Sequence, residues 1–120
     1  MSNQKGTLAI VIKWLSDKFK DYKVSNIKDE SLPDRFMVVV RDGGERRDIV
    51  LDVCDVLISI YDKNSAEACA ATADTIADSI RELLGVEDIT KVRINSIYED
   101  NDTKTRFFRV EVSATIFYRR

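Results

Sequence analysis

The chain reads as an α+β domain: an antiparallel β-sheet of about four to five strands with two helices packed on one face, in the order α-β-β-β-α-β-β. Three observations predict it. Residues 64–85 carry apolar side chains at helical spacing, residues 106–119 alternate apolar and polar at strand spacing, and the connections between elements are short. Strands joined by short turns pair antiparallel, and helices then collect on one side of the sheet. At 120 residues the chain forms one domain, 1–120, with enough length to bury a core.

The helix at 64–85 is the organising element. Ala66, Cys69, Ala70, Ala73, Ile76, Ala77, Ile80, Leu83 and Leu84 keep to one face of a 3.6-residue period. Asn64 is the expected N-cap, with Glu67 three positions on, facing the positive helix end. Gly85 stands where a left-handed residue closes a helix. Ile76, Ile80, Leu83 and Leu84 contribute roughly 6–12 kcal/mol of gross burial, and the alanines allow close approach to a sheet. The opposite face carries Glu67, Asp74, Asp78 and Glu82 with only Arg81 against them, and it reads as a solvated face.

A first helix spans 6–20, with Leu8, Val11, Ile12, Leu15 and Phe19 as its core stripe. Ile10 and Trp14 widen that stripe, either as a large core contact or as a contact onto another subunit. Residues 22–27 form a short strand and 28–35 a polar loop holding Pro33. The run Phe36-Met37-Val38-Val39-Val40 is a strand suited to burial on both faces. Asp42-Gly43-Gly44-Glu45 supplies a hairpin turn, since glycine takes the positive φ such turns require. These two glycines are too few and too badly spaced for a phosphate-cradling loop.

In 48–61 the apolar parity changes, from Ile49, Leu51 and Val53 to Val56, Ile58 and Ile60. A parity change moves the apolar set to the other face, so a bulge or turn is expected at 52–55, with the regular strand at 56–61. Asp52 and Asp55 then read as turn residues bonded to local backbone. A strand at 91–99 places Val92, Ile94 and Tyr98 on one side. In the last strand Phe108, Val110, Val112, Ala114, Ile116 and Tyr118 share one face; Arg109, Glu111, Ser113 and Thr115 share the other, with Phe107 and Phe117 at its ends.

Composition excludes several classes. The net charge of −2 argues against a general nucleic-acid binder. No apolar run reaches the length of a membrane span, and no signal-peptide pattern opens the chain. Cys54 and Cys69 read as free, buried thiols of a cytosolic product. The absence of histidine removes Ser–His–Asp and Cys–His catalysis from this chain and lowers the prior for an enzyme. Asp42, Glu45, Asp52 and Asp55 would be the ligands of a metal-dependent hydrolase, but among 21 acidic residues such clustering is expected by chance. No catalytic, cofactor or metal residue is therefore assigned.

The order of pieces from about Phe36 to Arg119 resembles the tail terminator (tail completion) proteins of tailed bacteriophages and prophages. The pieces are Gly43-Gly44, Arg46-Arg47, Asp48-Ile49-Val50-Leu51-Asp52, Ile58-Ser59-Ile60-Tyr61-Asp62, Ala66 with its helix, and Arg106-Phe107-Phe108-Arg109-Val110. The resemblance implies a structural virion protein that assembles as a homo-oligomeric, hexameric ring. Such a ring caps the tail tube, stops its polymerisation and offers a docking surface to the head connector, at the head-proximal end of the tail, after assembly in the host cytoplasm. Its partners are further copies of itself, the tail tube protein and the head–tail connector protein. DNA passes through without specific binding, and there is no cofactor and no membrane. Trp14 is the candidate for subunit packing, and Asp42, Glu45, Arg46 and Arg47 are candidates for contact with tube or connector. The alternatives are a head–tail connector (stopper or neck) subunit or another small tail protein, and a dimeric binding domain of the cytosol. The sequence departs from the family in its compact, proline-free 99–105 segment and in Tyr61, where tryptophan is frequent.

Overall fold

The computed structural model describes residues 4–26, 33–43, 51–99 and 107–119, with 4, 5, 42, 43, 51 and 52 described by backbone alone. The elements run α1 (Gln4–Lys18), β1 (Lys23–Ser25), β2 (Arg35–Gly43), β3 (Leu51–Asp62), α2 (Ala66–Ser79), a 3₁₀ turn (Ile80–Leu83), β4 (Ile89–Glu99) and β5 (Phe108–Arg119). This is the expected α+β order. The five strands form one sheet ordered β1-β2-β3-β5-β4. Three of its four pairings are antiparallel, but β1 runs parallel to β2, with Lys23 opposite Phe36, so the sheet is mixed. A tight turn after α1, closed by Tyr22 N–H on Phe19 C=O, sends β1 along the sheet edge in the direction of β2.

Register divides the sheet into two faces. Even-numbered residues of β5 oppose even-numbered residues of β3, with Val112 on Ile58 and Ile116 on Cys54. Met37 and Val39 of β2 join that face through Ile60 and Ile58. These residues form one buried cluster with Val11 and Leu15 of α1 and Cys69, Ala73 and Ile76 of α2. Both helices thus cover the same side, as the alternation in β5 and the helical stripes predicted. Among the described residues the other side has its own, smaller cluster of Phe36, Tyr61 and Phe107.

Strand β3 departs from expectation. It is one unbroken strand against β5, paired residue for residue from Leu51 to Asp62, with no bulge at 52–55. The irregularity lies in its neighbour, where the β2 register shifts between Arg41 and Gly43 opposite Val56 and Asp55. Because β3 is central, both of its faces take apolar residues, so Val53 on one side and Cys54 on the other are both buried. Asp52 and Asp55 consequently lie within a strand rather than in a turn.

Helix α2 is shorter than the apolar pattern implies. Ser65, not Asn64, is the N-cap: its backbone is extended and its hydroxyl accepts from Ala68 N–H at 3.0 Å. The helix tightens into the 3₁₀ turn at Ile80, and Leu84 follows in extended conformation. Leu84 is therefore 48% exposed, leaving Ile76, Ile80 and Leu83 as the large buried side chains of this segment. Gly85 takes the expected left-handed conformation, φ +83°. In β4 a register shift between Ile94 and Ser96 returns Ile97 to the side of Val92 and Ile94 and puts Tyr98 on the opposite side, correcting the predicted grouping.

Candidate interaction surfaces

Trp14 lies half-buried on α1, packed against the main core. Its indole N–H donates to Glu82 Oε1 at 3.0 Å, and Lys18 Nζ meets both oxygens of the same carboxylate at 3.3 Å. The acidic stripe is thus not uniform. Glu67, Asp74 and Asp78 are exposed, whereas Glu82, also exposed, ties the 3₁₀ turn to α1. The Trp14 and Lys18 hydrogen bonds hold the Glu82 carboxyl below its ordinary pKa. Asp42 falls near the end of β2, while Glu45, Arg46 and Arg47 lie outside the described residues. The structure therefore does not bring Trp14 and the hairpin residues into a described site.

A second cluster was not legible as a site. The Asp62 carboxylate is fully buried where β3 meets α2. Its Oδ1 accepts from the backbone N–H groups of Asn64 at 2.8 Å and Ser65 at 3.1 Å, and its Oδ2 lies 3.1 Å from Arg35 Nε. Arg35 Nη1 also approaches Asp21 at 3.8 Å. Asp62 thereby organises the entry to α2 and fixes Arg35 beside it. The sequence signal was available: an aspartate three residues before a serine cap is suited to an Asx turn. A concavity of about 600 Å³ opens here, lined by Lys20, Asp21, Tyr22, Lys23, Pro33, Asp34, Arg35 and Asn64. Its charges are of both signs and its arginine is already engaged, so it offers an ion-paired surface rather than a nucleophile with a base. Among the described residues no group of three His, Cys, Asp or Glu side chains is placed to hold a metal ion.

The sheet face away from the helices carries the most varied chemistry. At one end Phe36 stacks on Tyr61 with centroids 4.4 Å apart, Phe107 packs edge-on to both, and the Arg109 guanidinium lies over Tyr61. Arg109 also pairs with Glu111. In the middle a hydrogen-bond chain crosses three strands. Arg93 Nε donates to Asn95 Oδ1 at 3.0 Å, Asn95 Nδ2 to Thr115 Oγ1 at 2.8 Å, and Thr115 Oγ1 to Asp55 Oδ1 at 2.6 Å. Asn95 reaches this chain because the register shift in β4 leaves it out of the ladder. At the other end Lys91 and Arg93 lie over Phe117, 5.3 and 5.9 Å from its centroid.

The two thiols are inert by location. Cys54 and Cys69 are free and buried, and burial pushes both up from 9.0 to about 11. Cys69 Sγ donates to the Ile60 carbonyl at 3.3 Å, which seats α2 on β3. Burial likewise raises the Tyr22 hydroxyl, opposed by its hydrogen bond with Thr72 at 3.1 Å.

No protein-family model matches the chain, and no curated protein sequence matches it. No helix among the described residues is long and apolar enough to cross a membrane.

Proposed function

We propose that this chain is a structural subunit of the phage tail terminator type, which assembles with copies of itself into a ring that caps a tail tube. The observation that supports the reading is a sheet with one face under two helices and the other without a described helix over it. That second face mixes partly buried Val38, Leu57 and Phe117 with exposed Lys91, Arg93 and Tyr98. Aromatic residues and arginine are enriched in protein interfaces, and this face presents Phe117, Tyr98 and Arg93. The order of residue pieces that resembles tail terminators supplies the context.

In this reading function resides in surfaces and no reaction is catalysed. The ring covers the exposed end of the tube, cannot itself accept another tube layer, and presents its far side to the connector. Trp14, half-buried with its indole N–H on Glu82, is the proposed contact with a neighbouring subunit. Asp42, Glu45, Arg46 and Arg47 remain the contacts proposed for tube or connector.

The test is light scattering over a range of concentrations, with electron microscopy of any large species, and pull-downs with separate tail-tube and connector proteins. A ring of about six subunits, or capture by tail-tube protein, is expected. Capture by portal or adaptor protein alone moves the chain to the neck, and a tight dimer that captures neither removes the ring reading.

A further inference from the structure

We propose that the exposed corner formed by β4 and β5, on the sheet face away from the helices, receives α2 of a second copy of this chain, with Lys91 and Arg93 meeting Asp74 and Asp78. The inference rests on the self-assembly reading above and names the two surfaces that would carry it.

Charge and geometry lead to it. On the face away from the helices Lys91, Arg93 and Arg119 are exposed together beside half-buried Phe117, whose register partners are buried Val53 and exposed Lys91. On the outer face of α2, Glu67, Asp74 and Asp78 are exposed, and the residues between them on that face are small: Ala71 and Thr75. The two charge groups lie on opposite sides of a two-layer molecule, because α2 packs on the even-numbered face and Lys91, Arg93 and Arg119 belong to the other. One chain therefore cannot pair them with each other, whereas two chains can.

Spacing fits as well as sign. Residues four apart on a helix are about 6 Å apart along its axis, and residues two apart on a strand about 6.6 Å. Asp74 and Asp78 thus present carboxylates at nearly the interval at which Lys91 and Arg93 present cations. A smooth helix face of alanine and threonine can approach a sheet closely, and among the described residues no helix lies over this face of the sheet. The contact joins two different patches, so it repeats from copy to copy and yields a closed ring or an open filament rather than a two-fold dimer.

Two charge-reversed proteins test it. One carries Asp74→Lys and Asp78→Lys; the other carries Lys91→Glu and Arg93→Glu. All four positions are exposed, so circular dichroism should match the parent; the urea midpoint should match for the Asp74/Asp78 protein and fall slightly for the Lys91/Arg93 protein, which also loses the Arg93–Asn95 hydrogen bond and both cation contacts on Phe117. Assembly is read by analytical ultracentrifugation at low and moderate salt. The expected result is at least a tenfold weaker association for each reversed protein alone. Mixed in equal amounts they should recover assembly with the two chains alternating, because each then offers the charge the other lacks. Parent assembly should also weaken as salt rises.

If the parent assembles and the reversed proteins assemble equally well alone, this pairing is wrong while the ring reading stands. The same holds if each reversed protein fails alone and the mixture does not recover. If the parent stays monomeric alone and on tail-tube protein, the ring reading and this pairing fall together.

Discussion

The two faces of the sheet are made from the same strands and solve different problems. On the covered face, Met37, Val39, Ile58, Ile60, Val112, Ala114 and Ile116 form a continuous aliphatic layer under α1 and α2. On the opposite face the same strands present a mosaic: an aromatic cluster, a chain of polar side chains, and two cations over a phenylalanine. The difference teaches that burial is not confined to the side the helices cover. Phe36 is 2% and Thr115 2% exposed although both belong to the face away from the helices. Phe36 is packed by its aromatic neighbours Tyr61 and Phe107, and Thr115, buried among polar neighbours, satisfies its hydroxyl on Asn95 and Asp55.

The largest effects should come from neighbours on opposite faces of one strand. Phe36→Ala removes the stacked centre of the aromatic cluster and should cost about 3–5 kcal/mol. Met37→Ala, one residue on and facing the helices, should cost about 2–5 kcal/mol. Urea unfolding compares them; a Phe36 loss below about 1 kcal/mol would mean that the aromatic cluster adds little to the fold.

Thr115→Val keeps the shape but breaks the chain between Asn95 and Asp55, leaving a strand-bound carboxylate without its 2.6 Å donor. A loss of about 1–3 kcal/mol is expected by the same measurement. Equal stability of parent and variant would show that water replaces the hydroxyl. Ser65→Ala removes the cap of α2 and should cost about 1 kcal/mol, whereas Asn64→Ala, beside it and exposed, should change stability by less than about 0.5 kcal/mol.

The smallest effect at neutral pH belongs to the covered face alone. Cys54 and Cys69 keep their protons in the folded chain to about pH 11, while the unfolded chain releases them near 9.0. A folded pKa raised in this way leaves stability whole below pH 9 and removes it as pH rises toward 11. Melting temperature should therefore drop across that window, and less steeply in Cys54→Ala and Cys69→Ala proteins. An identical slope in parent and both variants would assign the drop to other groups.

Much of this was readable in the residues. The stripe of α2 and the alternation of β5 specify which side of each element is apolar, because helical and strand periods act through nearest neighbours in the chain. The left-handed Gly85 was legible for the same reason. The cap was misplaced by one residue, since Asn64 and Ser65 are both good caps and only the Asp62 carboxylate, by taking the Asn64 and Ser65 N–H groups, decides between them. The interface candidates were legible only as types of residue. Trp14 could be core or contact, and its bond to Glu82 joins positions 68 residues apart.

By itself the sequence determined the element order, the two apolar helix stripes and the alternating last strand, all set by local spacing. Tertiary structure alone decided the rest. It placed β3 between β2 and β5, so that a parity change became burial on both faces instead of a bulge. It turned β1 parallel to β2, gathered Asp55, Thr115 and Asn95 into one chain, and set Lys91 and Arg93 on the side opposite the acids of α2. These are pairings between strands far apart in sequence, and the register that fixes them is a property of the whole sheet, which no single segment carries.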